Sequence, residues 1–477
     1  MEHQLDRKKY RQFSIAVFVL CLIFYLGFLF ADGPVWCVDS HTYVEMDLSR
    51  EMLYPLYLAF FRRIFAGSDA MPYGQPVYLL AAAFFASILN AAAAWRISAV
   101  TCRYMGKISE KAGILAGSGM AAFQLAVPLI NRFLAQRQSM YSECIMTESL
   151  AMPLYILFCT ELWLGLYENS RAHMVSAFLI AFIQTNLRKQ MTVCLLLLLC
   201  MSFLVYVWRR NTRNMRRFLL HLAAAVLIIA VSPQLEKVYN QQLHGAAITR
   251  TNDNKALYCN LVYTADEEDA DLFDRYGTED DKSLFLELME IYEEEGVLYI
   301  NAPRGNIYEM QNHYAQSYDV IGIDIAMPVI SAHLHNDDWL ENRLLFDETT
   351  DRINAVLLHQ DLRDTAAVAG RNILEGFADS VAKFSPKLMW YAAGVYILYL
   401  ILYAVLWGKT RVYPERVCGS YGAILAAEIT LGGILINIMT VGVTIFAQPR
   451  YMTYGMGMFY GVLLVMCILV FRPACRR

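Results

Sequence analysis

Residues 12–31 read QFSIAVFVLCLIFYLGFLFA, an unbroken stretch without a charge. A helix needs about 20 mostly apolar residues to cross the hydrocarbon core of a bilayer, and this stretch meets that length. Arg7, Lys8, Lys9 and Arg11 stand just before it. The apolar run exceeds the roughly 7–15 residues of a secretory signal core, so it is expected to stay as an uncleaved anchor. Nine more stretches repeat the pattern, at 76–97, 112–131, 148–167, 172–187, 190–208, 217–233, 388–408, 420–446 and 452–471. The fifth span, 172–187, is short and turns polar near its end.

Composition agrees. The 477 residues are 57% hydrophobic and 18% charged, with a mean hydropathy of +0.35, whereas soluble domains run at about 45–50% apolar and about 25% charged. A net charge of -4 gives no reason to expect a nucleic-acid partner. The 11 cysteines show no paired metal spacing, and most sit inside apolar runs, where a thiol behaves as a small hydrophobe. Cys37, Cys144 and Cys259 fall in segments expected on the external side, where a bridge between one pair of them is open, but three give no disulfide framework.

Lysine and arginine gather on the cytoplasmic side of a membrane protein. Here they cluster before the first span, after the second (Arg103, Lys107, Lys111), after the sixth (Arg209, Arg210, Arg213, Arg216, Arg217), after the eighth (Lys409, Arg411, Arg416) and at the end (Arg472, Arg476, Arg477). With ten spans, all five clusters land on one side, and both termini are expected in the cytoplasm. The expected organisation is an all-α polytopic membrane protein. It has an N-terminal transmembrane module at 1–233, an acidic and mainly helical extracytoplasmic domain at 234–387, and a C-terminal module at 388–477. The acidic runs Asp266-Glu267-Glu268-Asp269 and Glu293-Glu294-Glu295 read as solvated faces. No organelle-retention signal is seen at Cys475-Arg476-Arg477, so the plasma membrane is the expected location.

The most informative polar stretch follows the first span: Asp32-Gly33-Pro34-Val35-Trp36-Cys37-Val38-Asp39-Ser40-His41-Thr42-Tyr43, then Asp47, Arg50 and Tyr54-Pro55. Gly33-Pro34 stops the helix. Asp39 is then placed near the membrane surface, where it either caps a short helix through Ser40-His41-Thr42 or stands over a membrane cavity as a reactive carboxylate. Leu53–Phe65 has apolar residues at helical spacing and ends in Arg62-Arg63, which suits a helix lying in the interface plane. Glu148 opens the fourth span in Thr147-Glu148-Ser149-Leu150, a carboxylate where the helix dipole favours one. Arg188 and Lys189, in Asn186-Leu187-Arg188-Lys189-Gln190, lie on the side poor in cations, as does Arg450 in Gln448-Pro449-Arg450-Tyr451. An anionic ligand is one reason for arginine there, since its planar fork matches phosphate; lipid headgroup contact or snorkelling is the other. Glu428, Glu161 and His221 lie within spans and call for hydrogen-bonding partners. His333, His335, Asp337 and Asp338 do not have a diagnostic metal spacing.

In order along the chain, these pieces resemble the C-type glycosyltransferase superfamily of membrane enzymes, with protein O-mannosyltransferases and bacterial aminoarabinose transferases as relatives. The resemblance rests on Asp39-Ser40-His41-Thr42-Tyr43, on Arg50-Glu51-Met52-Leu53-Tyr54-Pro55-Leu56, on Glu148-Ser149-Leu150, on Leu187-Arg188-Lys189-Gln190 and on Arg450-Tyr451. Many relatives pair two acids in the first loop; here Ser40 follows Asp39. The resemblance implies sugar transfer from a polyprenyl-phosphate-linked donor, in contact with membrane lipid, to an acceptor on the non-cytoplasmic side whose nature it leaves open. It assigns Asp39 as the base, with Asp47 or Glu148 in support, and Tyr43, Arg50, Arg188, Lys189, Arg450 and Tyr451 to substrate. No cofactor is implied with certainty; carboxylates beside phosphate allow a divalent cation such as Mg2+ or Mn2+, without an evident ligand set. A lipid or sugar transporter, a diphosphate-linked glycan ligase or polymerase, and a non-catalytic scaffold are the alternatives.

Overall fold

The computed structural model describes residues 6–134, 139–209, 214–251, 255–334, 338–412 and 420–471. Arg210, Arg213, Arg416, Arg472, Arg476 and Arg477 of the basic clusters, with His335, Asp337 and Cys475, lie outside these residues. The protein is an all-α polytopic membrane protein. Among the described residues nine helices are long and apolar enough to cross a bilayer, and the extended chain contributes a single isolated bridge, Val35 with Cys144.

The first module runs α1 (Arg7–Asp32), α2 (Ser40–Val44), α3 (Leu53–Ile64), α4 (Val77–Gly106), α5 (Glu110–Leu134), α6 (Glu148–Tyr167), α7 (Arg171–Leu187), α8 (Val193–Phe203) and α9 (Met215–His244). A 3-10 turn before α8 and a π turn after it extend that span to Lys189–Trp208. The inserted domain holds α10 (Lys255–Tyr263), α11 (Phe273–Tyr276), α12 (Glu279–Glu294), α13 (Ile307–Asp319), α14 (Ala326–Leu334), α15 (Trp339–Leu357) and α16 (Arg363–Asp379). The last module is α17 (Leu388–Val412), α18 (Ser420–Thr444), α19 (Pro449–Met452) and α20 (Met456–Phe471).

α7 stands apart from the nine because it has only 17 residues, about 25 Å at 1.5 Å per residue. It still travels the length of α6. Met174 packs on Gly165 near one end, and Gln184 donates to the Ala151 carbonyl at 2.8 Å near the other. α9 departs from expectation too. The helix passes through Pro233 and ends at His244, capped by Gly245 with φ 78°, eleven residues beyond the expected limit of 233. Proline is tolerated inside membrane helices because neighbouring groups re-satisfy the freed backbone, and Pro233 does not terminate the helix.

Side-chain contacts sort the bundle into two poles. At one, Lys9 meets Glu110, Arg103 meets Glu168, and Lys409 donates to the Val470 carbonyl. Arg209 pairs with Glu428 and lies over the Trp407 ring at 5.5 Å. The opposite pole carries the α1–α4 connection, the turn between α7 and α8, the start of α19, and the inserted domain. Each ionisable residue noted within the spans has a partner: Glu428 also accepts from Tyr403, Glu161 meets Arg96 and His173, and His221 meets Ser202.

The domain has its own core around Tyr258, Phe285, Leu288 and Tyr292. Phe446, just past α18, belongs to that core and joins it to the bundle. α16 lies against α18 at Gly442, where an added Cβ would sit 3.2 Å from the Ile373 nitrogen, and Asn372 donates to the Gly442 carbonyl. α3 buries Tyr54, Pro55 and Leu58 and turns Leu56, Phe60 and Ile64 outward.

Candidate functional site

Asp39 precedes α2, but its side chain makes no capping bond. One carboxylate oxygen accepts from Arg50 Nη2 at 2.8 Å, and the other accepts from Arg450 Nη1 at 2.9 Å. α2 closes locally through Thr42, whose hydroxyl donates to the Asp39 carbonyl. That hydroxyl accepts in turn from Arg50 Nε at 2.7 Å. Arg50 is further fixed over the Tyr43 ring, 4.7 Å from its centroid, and Tyr43 packs edge-on to the buried Tyr54. Burial works to raise the Asp39 pKa, but the Arg50 and Arg450 charges outweigh it and hold the carboxyl below its ordinary value. Asp39 is therefore an ionised carboxylate at neutral pH.

Glu148, 2% exposed, pairs with Arg188. Arg188 also reaches the Tyr454 hydroxyl at 3.4 Å. Its guanidinium lies 4.6 Å from the centroid of Tyr451, and that of Arg450 lies 4.7 Å from the same ring. One tyrosine thus carries two guanidiniums by cation–π contact, and Arg450 also donates to its hydroxyl at 2.6 Å. Arg450 Nε is buried without a hydrogen-bond partner. The turn bearing Arg450 and Tyr451 is secured from behind: Asn437 Nδ2 donates to the Tyr451 carbonyl at 2.7 Å, and Gln190 Nε2 donates to Asn437 Oδ1 at 2.8 Å. Pro449 opens α19 at the position where its missing N–H costs nothing.

The structure thus brings together Asp39, Tyr43, Arg50, Glu148, Arg188, Arg450 and Tyr451 at one pole. Asp47 is bonded to the cluster through its backbone, to the Thr42 carbonyl at 2.8 Å and from the Arg50 N–H at 3.0 Å, but its side chain is directed to another partner. The Asp47 carboxylate accepts from the Ser49 N–H and hydroxyl, and takes Arg343 of α15 in a two-pronged bond at 2.9 and 3.1 Å. Arg343 comes from the inserted domain, so Asp47 ties that domain to the bundle. Lys189 follows Arg188 but is exposed; its backbone N–H donates to Glu51 at 2.8 Å, and Glu51 pairs with Arg250. Sequence reasoning missed the Glu51–Arg250 pair, the Tyr454 hydroxyl and the Asn437–Gln190 brace. It also missed the pairing of Asp32 with Arg132 beside the buried Glu143. Nothing in their spacing flagged them, although Glu51 is adjacent to Arg50 and Tyr454 lies one helical turn beyond Arg450. Cys37, Cys144 and Cys259 stand as thiols. Among the described residues no group of three or more His, Cys, Asp or Glu side chains is arranged to hold a metal ion.

Chemically, the cluster is a set of guanidiniums with carboxylates paired into it. Three guanidiniums face two carboxylates, leaving positive charge in excess for an anion. No family model, curated protein or solved structure matches the chain.

Proposed function

We propose that the protein is a membrane glycosyltransferase that moves a sugar from a polyprenyl-phosphate donor to an acceptor on the non-cytoplasmic face of the cell membrane. One observation carries this reading. Asp39, on the loop after the first span, shares its two oxygens between Arg50 and Arg450, so a carboxylate and a surplus of arginine meet at the edge of the apolar bundle. That is the pairing an inverting transfer between a lipid phosphate and a hydroxyl requires.

In this scheme the acceptor hydroxyl attacks the anomeric carbon and gives its proton to Asp39, in the role of general base. The bond between the anomeric carbon and the phosphate oxygen breaks, and its electron pair leaves with the polyprenyl phosphate. The phosphate gains negative charge as it departs. Arg188 and Arg450, already fixed against Tyr451, stabilise that charge without reorganising. Glu148 holds Arg188 in place. A single displacement inverts the anomeric centre.

The test uses the full-length chain in lipid nanodiscs with a panel of radiolabelled polyprenyl-phosphate sugars. Label passing to an acceptor, and its loss in Asp39→Asn with the melting temperature retained, supports the reading. Near-normal turnover in Asp39→Asn removes Asp39 as the base. Movement of an intact solute with the donor unconsumed replaces the reading by transport.

A further inference from the structure

A cavity of about 270 Å³, lined in part by Glu51 and Lys189, lies beside the arginine cluster, and the scheme above makes no use of it. Its walls are neighbours of the cluster by one position each. Glu51 follows Arg50, and Lys189 follows Arg188. Glu51 and Lys189 are joined by the backbone N–H of Lys189, and Arg250 closes the same wall by pairing with Glu51. Burial would raise the Glu51 pKa, yet Arg250 and, farther off, Arg188 hold it below its ordinary value.

The facing wall is α9. Ile229, Ser232, Pro233 and Glu236 line the cavity, and their steps of three and four put them on one helix face. Most of α9 is turned away from the protein; only Ala225 and Asn240 are buried along it. Ser232 and Glu236 are the polar residues on its cavity-facing stripe. Asn186 donates to the Ser232 hydroxyl at 3.0 Å and closes the floor between α7 and α9.

The chemistry of this cavity differs from that of the cluster. Lys189 and Arg250 are balanced by Glu51 and Glu236, so there is no surplus of charge for an anion. Hydroxyls and a carboxamide make up the remaining polar lining. We infer that this cavity binds the hydroxyl-bearing ring of a sugar while the adjacent arginines hold the phosphate. The inference rests on the glycosyl-transfer reading for its place in a reaction, and the ring it takes belongs either to the donor or to the acceptor.

Saturation-transfer NMR on the full-length chain in nanodiscs tests it, with the methyl glycosides of glucose, galactose, mannose and N-acetylglucosamine as probes. At least one glycoside should receive saturation. Ser232→Leu, which fills the cavity from an outward-facing helix, should weaken that binding at least tenfold. Thr249→Leu, on the same rim, serves if Ser232→Leu does not fold. Polyprenyl phosphate binding, followed separately by native mass spectrometry, should fall in Arg450→Gln. A glycoside signal that survives polyprenyl phosphate but is displaced by a polyprenyl-phosphate sugar marks the donor ring; one that survives both marks the acceptor. Absence of saturation for every glycoside, or a signal unchanged in both cavity variants, overturns the inference. Absence of polyprenyl phosphate binding instead overturns the reading beneath it.

Discussion

Arg450 and Asp39 are separated by 411 positions in sequence and 2.9 Å in space. The first loop and the last span are held to each other by this contact, and the same guanidinium donates to Tyr451. Lysine would keep the charge and lose the planar fork. One charge-assisted hydrogen bond is worth about 1.5–3 kcal/mol. Arg450→Lys should therefore lower turnover about ten- to hundredfold, with the donor KM raised. Steady-state kinetics on the lysine variant decide it, and wild-type constants would take Arg450 out of the site.

The Glu148–Arg188 pair should respond unequally to its two deletions. Glu148 is almost fully buried, and removing one partner of a buried ion pair costs about 3–5 kcal/mol because a charge is stranded. Arg188→Ala leaves the buried carboxylate with the Thr147 hydroxyl at 3.2 Å in place of a paired guanidinium. Glu148→Gln leaves Arg188 with the Tyr454 hydroxyl and the Tyr451 ring. The alanine variant should melt well below the glutamine variant, and the double variant Glu148→Gln, Arg188→Gln should regain part of the loss. Equal melting temperatures for the two single variants would contradict the pairing.

Asp47 and Arg343 form a structural link, with side chains 15% and 27% exposed. A partly solvated pair of this kind contributes about 1 kcal/mol. A double-mutant cycle with Asp47→Ala and Arg343→Ala should give a coupling of that size in domain stability. Turnover should stay within a few-fold of wild type in each. A turnover loss as deep as that of Asp39→Asn would return Asp47 to the chemistry.

Much of the bundle was legible because bilayer spans announce themselves locally. Glu148–Tyr167 matches the apolar run to the residue, and among the described residues Lys9, Arg103, Arg209 and Lys409 fall at one pole. α7 was the least clear from sequence and is the one helix short of the other nine. α9 runs past the apolar stretch 217–233 as a helix to His244, because the polar residues that follow stay helical. At the site, the residue types were visible but the pairings were not. Asp39 looked locally like a cap, and no local pattern reveals that its oxygens go to Arg50 and Arg450. Asp47 was grouped with Asp39 on proximity in sequence, while its true partner lay 296 positions away. Contacts of that range depend on how helices pack, and a single sequence carries no local record of them.

The same dependence on packing makes the domain contact sensitive to pH. Glu375 and Asp379 lie one turn apart on α16, 8% and 1% exposed. Burial, then the neighbouring Asp379 charge, pushes Glu375 up to about 8, against a hydrogen bond from Gln311. Burial pushes Asp379 up to about 7, against the Phe384 N–H and Lys383. In the unfolded chain both return to about 4. Between those values the folded state keeps protons that the unfolded state has released, so stability falls as pH rises. The contribution is whole below about pH 4 and fades through pH 7 to 8. α16 packs through Gly376 against Ile438 and Met452, beside the turn that bears Arg450, so loosening it should also reach the site. Hydrogen exchange along α16 should speed up from pH 5.5 to 8 beyond the intrinsic chemical rate, and Glu375→Gln should flatten that slope and protect α16 at pH 8. Identical slopes in the wild type and the glutamine variant would show that these carboxyls are ionised in the folded domain, and that α16 is held to α18 by other means.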